Sequence, residues 1–191
     1  QYIDIIKQNK YLYSLVLLIT FYALSKFVVT VSKKIILQLT KKTKTEIDDL
    51  IVTRINKPIS SILLLIGFRL ALLPLGIRQN ILDVIENVIS SVIIVVITYI
   101  VIVVFDILIE NWGRKFAEKT KSAIDDLIPV MHRFSRIFIL LVGIMFILPV
   151  WGIQIGPLLT SLGIAGIAIA FALQNTLGNI FGGMSLILDK S

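Results

Sequence analysis

Five apolar runs, each long enough to cross a bilayer, constrain this sequence more than any motif in it. They lie at 11–31, 58–76, 84–109, 134–150 and 157–188. A helix needs roughly 20 apolar residues to traverse about 30 Å of hydrocarbon. Inside hydrocarbon every backbone N–H and C=O must be satisfied within the protein, so a lone run of that kind has to be helical. The expected fold is an all-α membrane protein with five transmembrane helices per subunit. A soluble core is a poor alternative. Apolar residues make up 57% of the chain and charged ones 16%, and the apolar residues are contiguous rather than set at amphipathic spacing.

The formal net charge is +7, yet the basic residues gather beside the apolar runs, where lipid headgroups and topology account for them. Membrane lipids are therefore the expected partner, and nucleic acid is not. Residues 32–57 hold seven Lys and Arg and residues 110–133 hold five, against Arg78 alone in 77–83 and none in 151–156. Counting basic residues puts both long connections in the cytoplasm. The reading is a multi-pass protein of the cell (inner or plasma) membrane, with the N-terminus outside and Ser191 inside. There are no cysteines, so disulfide and thiolate chemistry are excluded. The sequence opens on Gln1 with no secretory-signal pattern and reads as part of a longer chain.

An internal repeat divides the map. Lys42-Thr-Lys-Thr-Glu-Ile-Asp-Asp-Leu-Ile51 recurs 77 positions later as Lys119-Thr-Lys-Ser-Ala-Ile-Asp-Asp-Leu-Ile128, with eight of ten residues identical. The spans that follow end alike, in Leu73-Pro-Leu-Gly-Ile77 and Leu148-Pro-Val-Trp-Gly-Ile153. The first four spans are two copies of one hairpin inserted in the same sense. The segments are then 1–31 (first helix), 32–76 (cytoplasmic loop and second helix), 77–109 (third helix), 110–153 (cytoplasmic loop and fourth helix) and 154–191 (the unrepeated fifth). Thr45-Glu-Ile-Asp48 and Ser122-Ala-Ile-Asp125 fit a capping box, so a helix starts at each. The Asp48/Asp49 and Asp125/Asp126 pairs could be read as a divalent-metal or catalytic site, but capping and nearby lysines explain them. Pro58 and Pro129 are expected to bend or break these helices.

The fifth span has no copy and is the specialised element. Gly156-Pro157 opens it, proline being suited to a first helical turn. At about 100° per residue, Gly163, Gly166 and Ala170 form one stripe and Ala165, Ala168 and Ala172 another. Between these small-residue stripes lie Ile164, Ile167 and Phe171. Two smooth flanks allow two neighbours to approach, and glycine side against alanine side would close a ring of identical helices. In that ring Ile164, Ile167 and Phe171 face the axis. An ordinary helix packed within its own chain is the other reading of the same pattern. A lumen ringed by Phe171 and Ile167 has no ligand to replace an ion's hydration shell, so it would conduct only when wide enough to stay wet. No charge lies between Gly152 and Leu188, which implies weak ion selectivity. Beyond Asn175 the glycines at 178, 182 and 183 weaken the helix, and Asn175, Gly178, Gly182 and Gly183 are the candidate hinges where a following amphipathic segment would bend away.

The run Leu162-Gly-Ile-Ala-Gly-Ile-Ala-Ile-Ala-Phe-Ala-Leu-Gln-Asn-Thr-Leu-Gly-Asn-Ile-Phe-Gly-Gly183 resembles the pore helix of MscS-like (small-conductance) mechanosensitive channels, in a larger five-span type. The likeness covers about 35 residues; upstream the spans fit in character only. It implies a kinked, pore-lining fifth helix in a homoheptameric ring, with Ile167 and Phe171 at the constriction and Gly163, Gly166 and Ala170 against the next subunit. It implies opening by membrane tension, with ions and small solutes released on hypo-osmotic shock. Where the best-known pattern kinks at a glycine after Gln, this chain has Asn175, so the bend is not fixed by the pattern. The resemblance also implies a β-rich cytoplasmic domain after residue 191.

Lys26, Arg69, Asp106 and Arg136 fall within spans, where a charge is costly enough to need a reason. Each lies within reach of an interface, and anchoring is the expected role. A sharper expectation is an Asp106–Arg136 pair joining the third and fourth spans. His132 is expected in the loop, as neither ligand nor pH switch. A secondary transporter built from duplicated hairpins is the alternative function, though the fifth span offers a substrate only Thr160, Ser161, Gln174 and Asn175. A third is a non-conducting scaffold. No nucleophile, base, metal or cofactor constellation is visible, so the chain is not expected to be an enzyme.

Overall fold

The computed structural model describes residues 9–39, 47–120 and 124–188. Five helices account for nearly all of them: α1 (Lys10–Leu39), α2 (Ile47–Leu72), α3 (Gln79–Thr120), α4 (Ile124–Ile147) and α5 (Gly156–Leu188). Short 3₁₀ turns follow α2 at Leu73–Leu75 and α4 at Leu148–Trp151. Each of the five contains a stretch long and apolar enough to cross a membrane, at Lys10–Ser32, Thr53–Leu75, Gln79–Asn111, Ile128–Trp151 and Gly156–Ser185.

The helices overrun the apolar runs. Much of the two basic connections is helix, since α1 continues to Leu39, α3 to Thr120, and α2 and α4 start at Ile47 and Ile124. With 42 residues, α3 is about 63 Å long at about 1.5 Å per residue, twice the thickness of the hydrocarbon. Hydropathy sees only the part that needs lipid. Lys, Glu and Ala are good helix formers and carry the ladder on into water. Neither proline breaks its helix: Pro58 lies inside α2 and Pro129 inside α4. Each removes one backbone donor, and the bonds on either side persist. The capping residues Thr45 and Ser122 lie outside the described residues.

The chain divides into two compact units, Gln1–Trp151 and Gly152–Ser191. In the first, α1 packs along α2, α2 along α3 and α3 along α4. The repeat is visible at the turns. In both copies a proline-containing 3₁₀ turn ends in a glycine with positive φ, 65° at Gly76 and 75° at Gly152, a backbone region that residues with a Cβ rarely adopt. It is visible again at the helix crossings. A Cβ at Gly67 on α2 would run into Cβ and Cγ of Phe21 on α1, and one at Gly143 on α4 would run into Thr98 on α3. Each hairpin therefore closes on a glycine that admits a residue of its partner helix.

Buried apolar residues are few, with Leu72, Leu82 and Ile89 at the centre of the cluster beside the α2–α3 turn. Hydroxyls add to the helix contacts. Ser14 Oγ donates to the Ala71 carbonyl at 2.6 Å, and the Ser25 and Ser60 hydroxyls share a bond of 2.5 Å. Trp151 Nε1 donates to Ser91 Oγ at 3.0 Å, while that hydroxyl donates to the Asn87 carbonyl. Large apolar side chains such as Phe27, Phe134 and Phe146 are exposed, a surface suited to hydrocarbon and not to water.

Candidate functional site

In the second unit α5 is a single helix. Leu159 N–H donates to the Ile155 carbonyl at 2.9 Å, beginning the helical ladder at the residue before Gly156. The hydroxyls of Thr160 and Ser161 then donate back to the Gly156 and Pro157 carbonyls, at 3.0 and 2.8 Å. These two polar groups are thus occupied within their own helix, a common way for membrane helices to carry hydroxyls. Regular helix runs without interruption to Leu188, through Asn175, Gly178, Gly182 and Gly183. Its 33 residues give a rod of about 50 Å.

An uninterrupted helix keeps the stripes in register. Ile164, Ile167 and Phe171 share one line along the rod, with Gly163, Gly166 and Ala170 on one shoulder and Ala165, Ala168 and Ala172 on the other. Phe171 is 71% exposed, Ile164 64% and Ile167 59%, so none of the three is packed against its own unit. A Cβ at Gly163, Gly166, Gly178, Gly182 or Gly183 meets open space. This contrasts with Gly67 and Gly143, whose space is taken by side chains of the same hairpin.

The first unit holds a polar clasp within the spans. Asp106 on α3 accepts from Arg136 on α4 through Nε at 3.1 Å to both carboxylate oxygens and through Nη2 at 2.7 Å. The pair expected from the sequence is present, with the forked geometry that arginine gives a carboxylate. His132 corrects the sequence reading. It sits in α4, not in a loop, and its Nδ1 lies 2.7 Å from Asp106 Oδ1. The signal was its spacing: four residues before Arg136 on one helix, it faces the same way. Nearer the other end of the spans Arg69 pairs with Glu86 at 2.9 Å across α2 and α3. Lys26, towards the same end as Asp106, lies over the Tyr22 ring at 4.9 Å from its centroid.

The Asp106 side chain is only 15% exposed, so its charge depends on these two partners. Asp106→Asn is expected to lower the melting temperature of the detergent-solubilised protein well beyond the effect of Glu86→Gln, whose pair is more open to solvent. Superimposable melting curves for Asp106→Asn and the parent would show that the clasp does not hold α3 to α4.

Two antiparallel hairpins of lipid-suited helices, followed by an uncharged fifth helix with small-residue shoulders, define a multi-pass membrane protein. The comparisons with known proteins agree. A family described as mechanosensitive ion channel, transmembrane helices 2/3, matches residues 133–174, which takes in most of α4 and the part of α5 carrying Ile164, Ile167 and Phe171. An uncharacterized MscS family protein of Aquifex aeolicus is 30% identical over 162 residues, 82% of this chain and 42% of the relative. The large-conductance mechanosensitive channel MscMJLR of Methanocaldococcus jannaschii is 27% identical over 187 residues, 94% of this chain and 50% of that protein. The small-conductance channel MscMJ of the same organism is 29% identical over 168 residues, 87% of this chain and 48% of its own length. No solved structure matches the chain. Across its membrane-spanning region the chain matches the MscS-like mechanosensitive channel family. It spans about half the length of the curated relatives it matches.

Proposed function

We propose that the protein is a mechanosensitive channel opened by membrane tension, with α5 lining a weakly selective pore that releases ions and small solutes on hypo-osmotic shock. The observation that carries this reading is the pattern along the unbroken α5, an Ile164–Ile167–Phe171 stripe between a glycine shoulder and an alanine shoulder, while its relatives by sequence are mechanosensitive channels. Copies of α5 would pack glycine shoulder to alanine shoulder in a homoheptamer, with Ile167 and Phe171 forming a hydrophobic constriction and Ile164 lining the lumen near it. Tension favours whichever state has the larger cross-section in the bilayer, and only such a difference between states can shift the equilibrium. Asn175, Gly178, Gly182 and Gly183 are the positions at which α5 would bend between states. In this reading the N-terminus is outside and the C-terminal end of α5 cytoplasmic, as the basic connections require.

Recording from patches that carry the protein tests the activity directly. Suction is expected to evoke currents with little preference between cations and anions; silence under suction combined with uptake of a solute would favour a transporter instead. Assembly has its own test. Gly166→Leu adds bulk where a neighbouring copy would sit, so it is expected to reduce the oligomer seen by light scattering while leaving helicity unchanged. An unaltered oligomer would remove the glycine shoulder from the interface.

A further inference from the structure

A cavity of about 620 Å³ opens where α2, α3 and α4 come together, within the roughly 300–1,000 Å³ typical of small-ligand sites. Its depth in the membrane follows from the spans. Arg54 stands at the start of the α2 span, Asp106 and Glu110 at the end of the α3 span, and His132, Arg133 and Arg136 towards the start of the α4 span. Successive antiparallel helices bring these three ends to one face of the bilayer, at the level of the lipid headgroups.

The charges in the cavity are unequally satisfied. Asp106 is taken up by Arg136 and His132, and Glu110 has an interaction of its own. Among the described residues, Arg54 and Arg133 form no ion pair. Two guanidinium groups with unused donors thus face the cavity, and His132, which spends Nδ1 on Asp106, keeps Nε2 available. Ile128 and Pro129 supply an apolar wall. Beside Arg133 on α4, Val130, Met131 and Phe134 are exposed and offer hydrocarbon contact to an acyl chain.

We propose that this cavity binds the phosphate group of an anionic phospholipid, with Arg54 and Arg133 as the clamping residues. A phosphate offers several acceptor oxygens that match the guanidinium fork, and basic pockets between transmembrane helices suit anionic headgroups. The already paired Asp106 does not repel it, because its charge is balanced by Arg136. The site bridges the two hairpins, so an occupied cavity ties α2 to α4 across α3.

Native mass spectrometry of the whole chain, released from detergent and titrated in turn with phosphatidylglycerol, phosphatidylcholine and inorganic phosphate, tests this. Phosphatidylglycerol is expected to bind more tightly than phosphatidylcholine, and the Arg54→Gln/Arg133→Gln pair to weaken it at least about tenfold, as expected for lost charge-assisted bonds. Arg54→Lys/Arg133→Lys keeps the charge without the fork and falls between. Arg78→Gln, in the turn between α2 and α3 at the opposite ends of the spans, leaves binding unchanged. Inorganic phosphate held with the same dependence on Arg54 and Arg133 supports the site and makes a soluble phosphate its ligand. Phosphatidylglycerol binding that is unaffected in the double variant, or reduced equally by Arg78→Gln, overturns the proposal. Both arginines are exposed, and an unchanged far-ultraviolet circular dichroism spectrum separates loss of the site from loss of the fold. The readout is lipid retention and not current, so it stands or falls apart from the channel reading.

Discussion

Phe171→Ser is expected to lower the tension needed for opening and to leave a standing leak at rest, with Ile167→Ser doing the same more weakly. The reason is cumulative. In the proposed ring each copy contributes one Phe171, and shielding such a side chain from water is worth about 1.5–3 kcal/mol. A loss of even about 0.5 kcal/mol per subunit, summed over seven copies, comes to about 3.5 kcal/mol, and this moves a two-state equilibrium by a few hundredfold. A serine hydroxyl also wets the constriction, which removes the barrier that a dry apolar ring presents to ions. Phe171→Leu keeps an apolar side chain and is expected to stay near the parent. Patch recording reads both quantities, the threshold as a ratio to a reference channel in the same patch and the leak as current without suction. An unchanged threshold with no leak in Phe171→Ser would place the barrier elsewhere.

Gly67→Ala is expected to destabilise the protein more than Gly143→Ala, although both glycines mark the crossing of a hairpin. At Gly67 the added methyl meets Cβ and Cγ of Phe21; Cγ can swing away about χ1, but Cβ is fixed to the α1 backbone and no side-chain rotation removes it, so the helices themselves must part. At Gly143 it meets Oγ1 and Cγ2 of Thr98, at 2.5 and 2.7 Å, with Cβ at 3.2 Å. A change of Thr98 rotamer vacates one of those two positions, at the cost of the bond from its hydroxyl to the Ile94 carbonyl, and leaves a smaller helix shift to clear the other. Overpacking typically costs about 1–3 kcal/mol, against a gain of about 1 kcal/mol in helix propensity when alanine replaces glycine. Gly67→Ala therefore nets a clear loss and Gly143→Ala a small one, and leucine at either site is worse than alanine. Thermal melting in detergent measures the difference. Equal melting temperatures for the two alanine variants would mean that the α1–α2 crossing adjusts as freely as the α3–α4 crossing.

The spans were legible because apolar runs of that length have one solution in a bilayer, and each falls on a helix that the structure contains, the second and fourth running on into the turn that follows it. Their ends were not, since the selection for hydrocarbon stops at the headgroups while the helix does not. Asp106 and Arg136 could be paired from sequence because two opposite charges stranded in neighbouring spans have few other partners. His132 was missed for the converse reason: beside Arg133 and before the apolar run that starts at 134 it looked like a loop residue, and only a helix that begins ahead of that run brings it one turn from Arg136.

The sequence by itself determined that this is a helical membrane protein, that its first four spans are two copies of one hairpin, and that the fifth differs in kind. Those are properties of local composition and periodicity, which a single chain carries in its own order. Tertiary structure decided what touches what across helices: Phe21 in the notch of Gly67, Ser14 on the Ala71 carbonyl, His132 and Arg136 on one carboxylate, and an arginine-lined cavity from three helices. Such contacts depend on the rotation and offset of one helix against another. Residues separated by tens of positions must pack there simultaneously, and no periodicity within one helix encodes that fit.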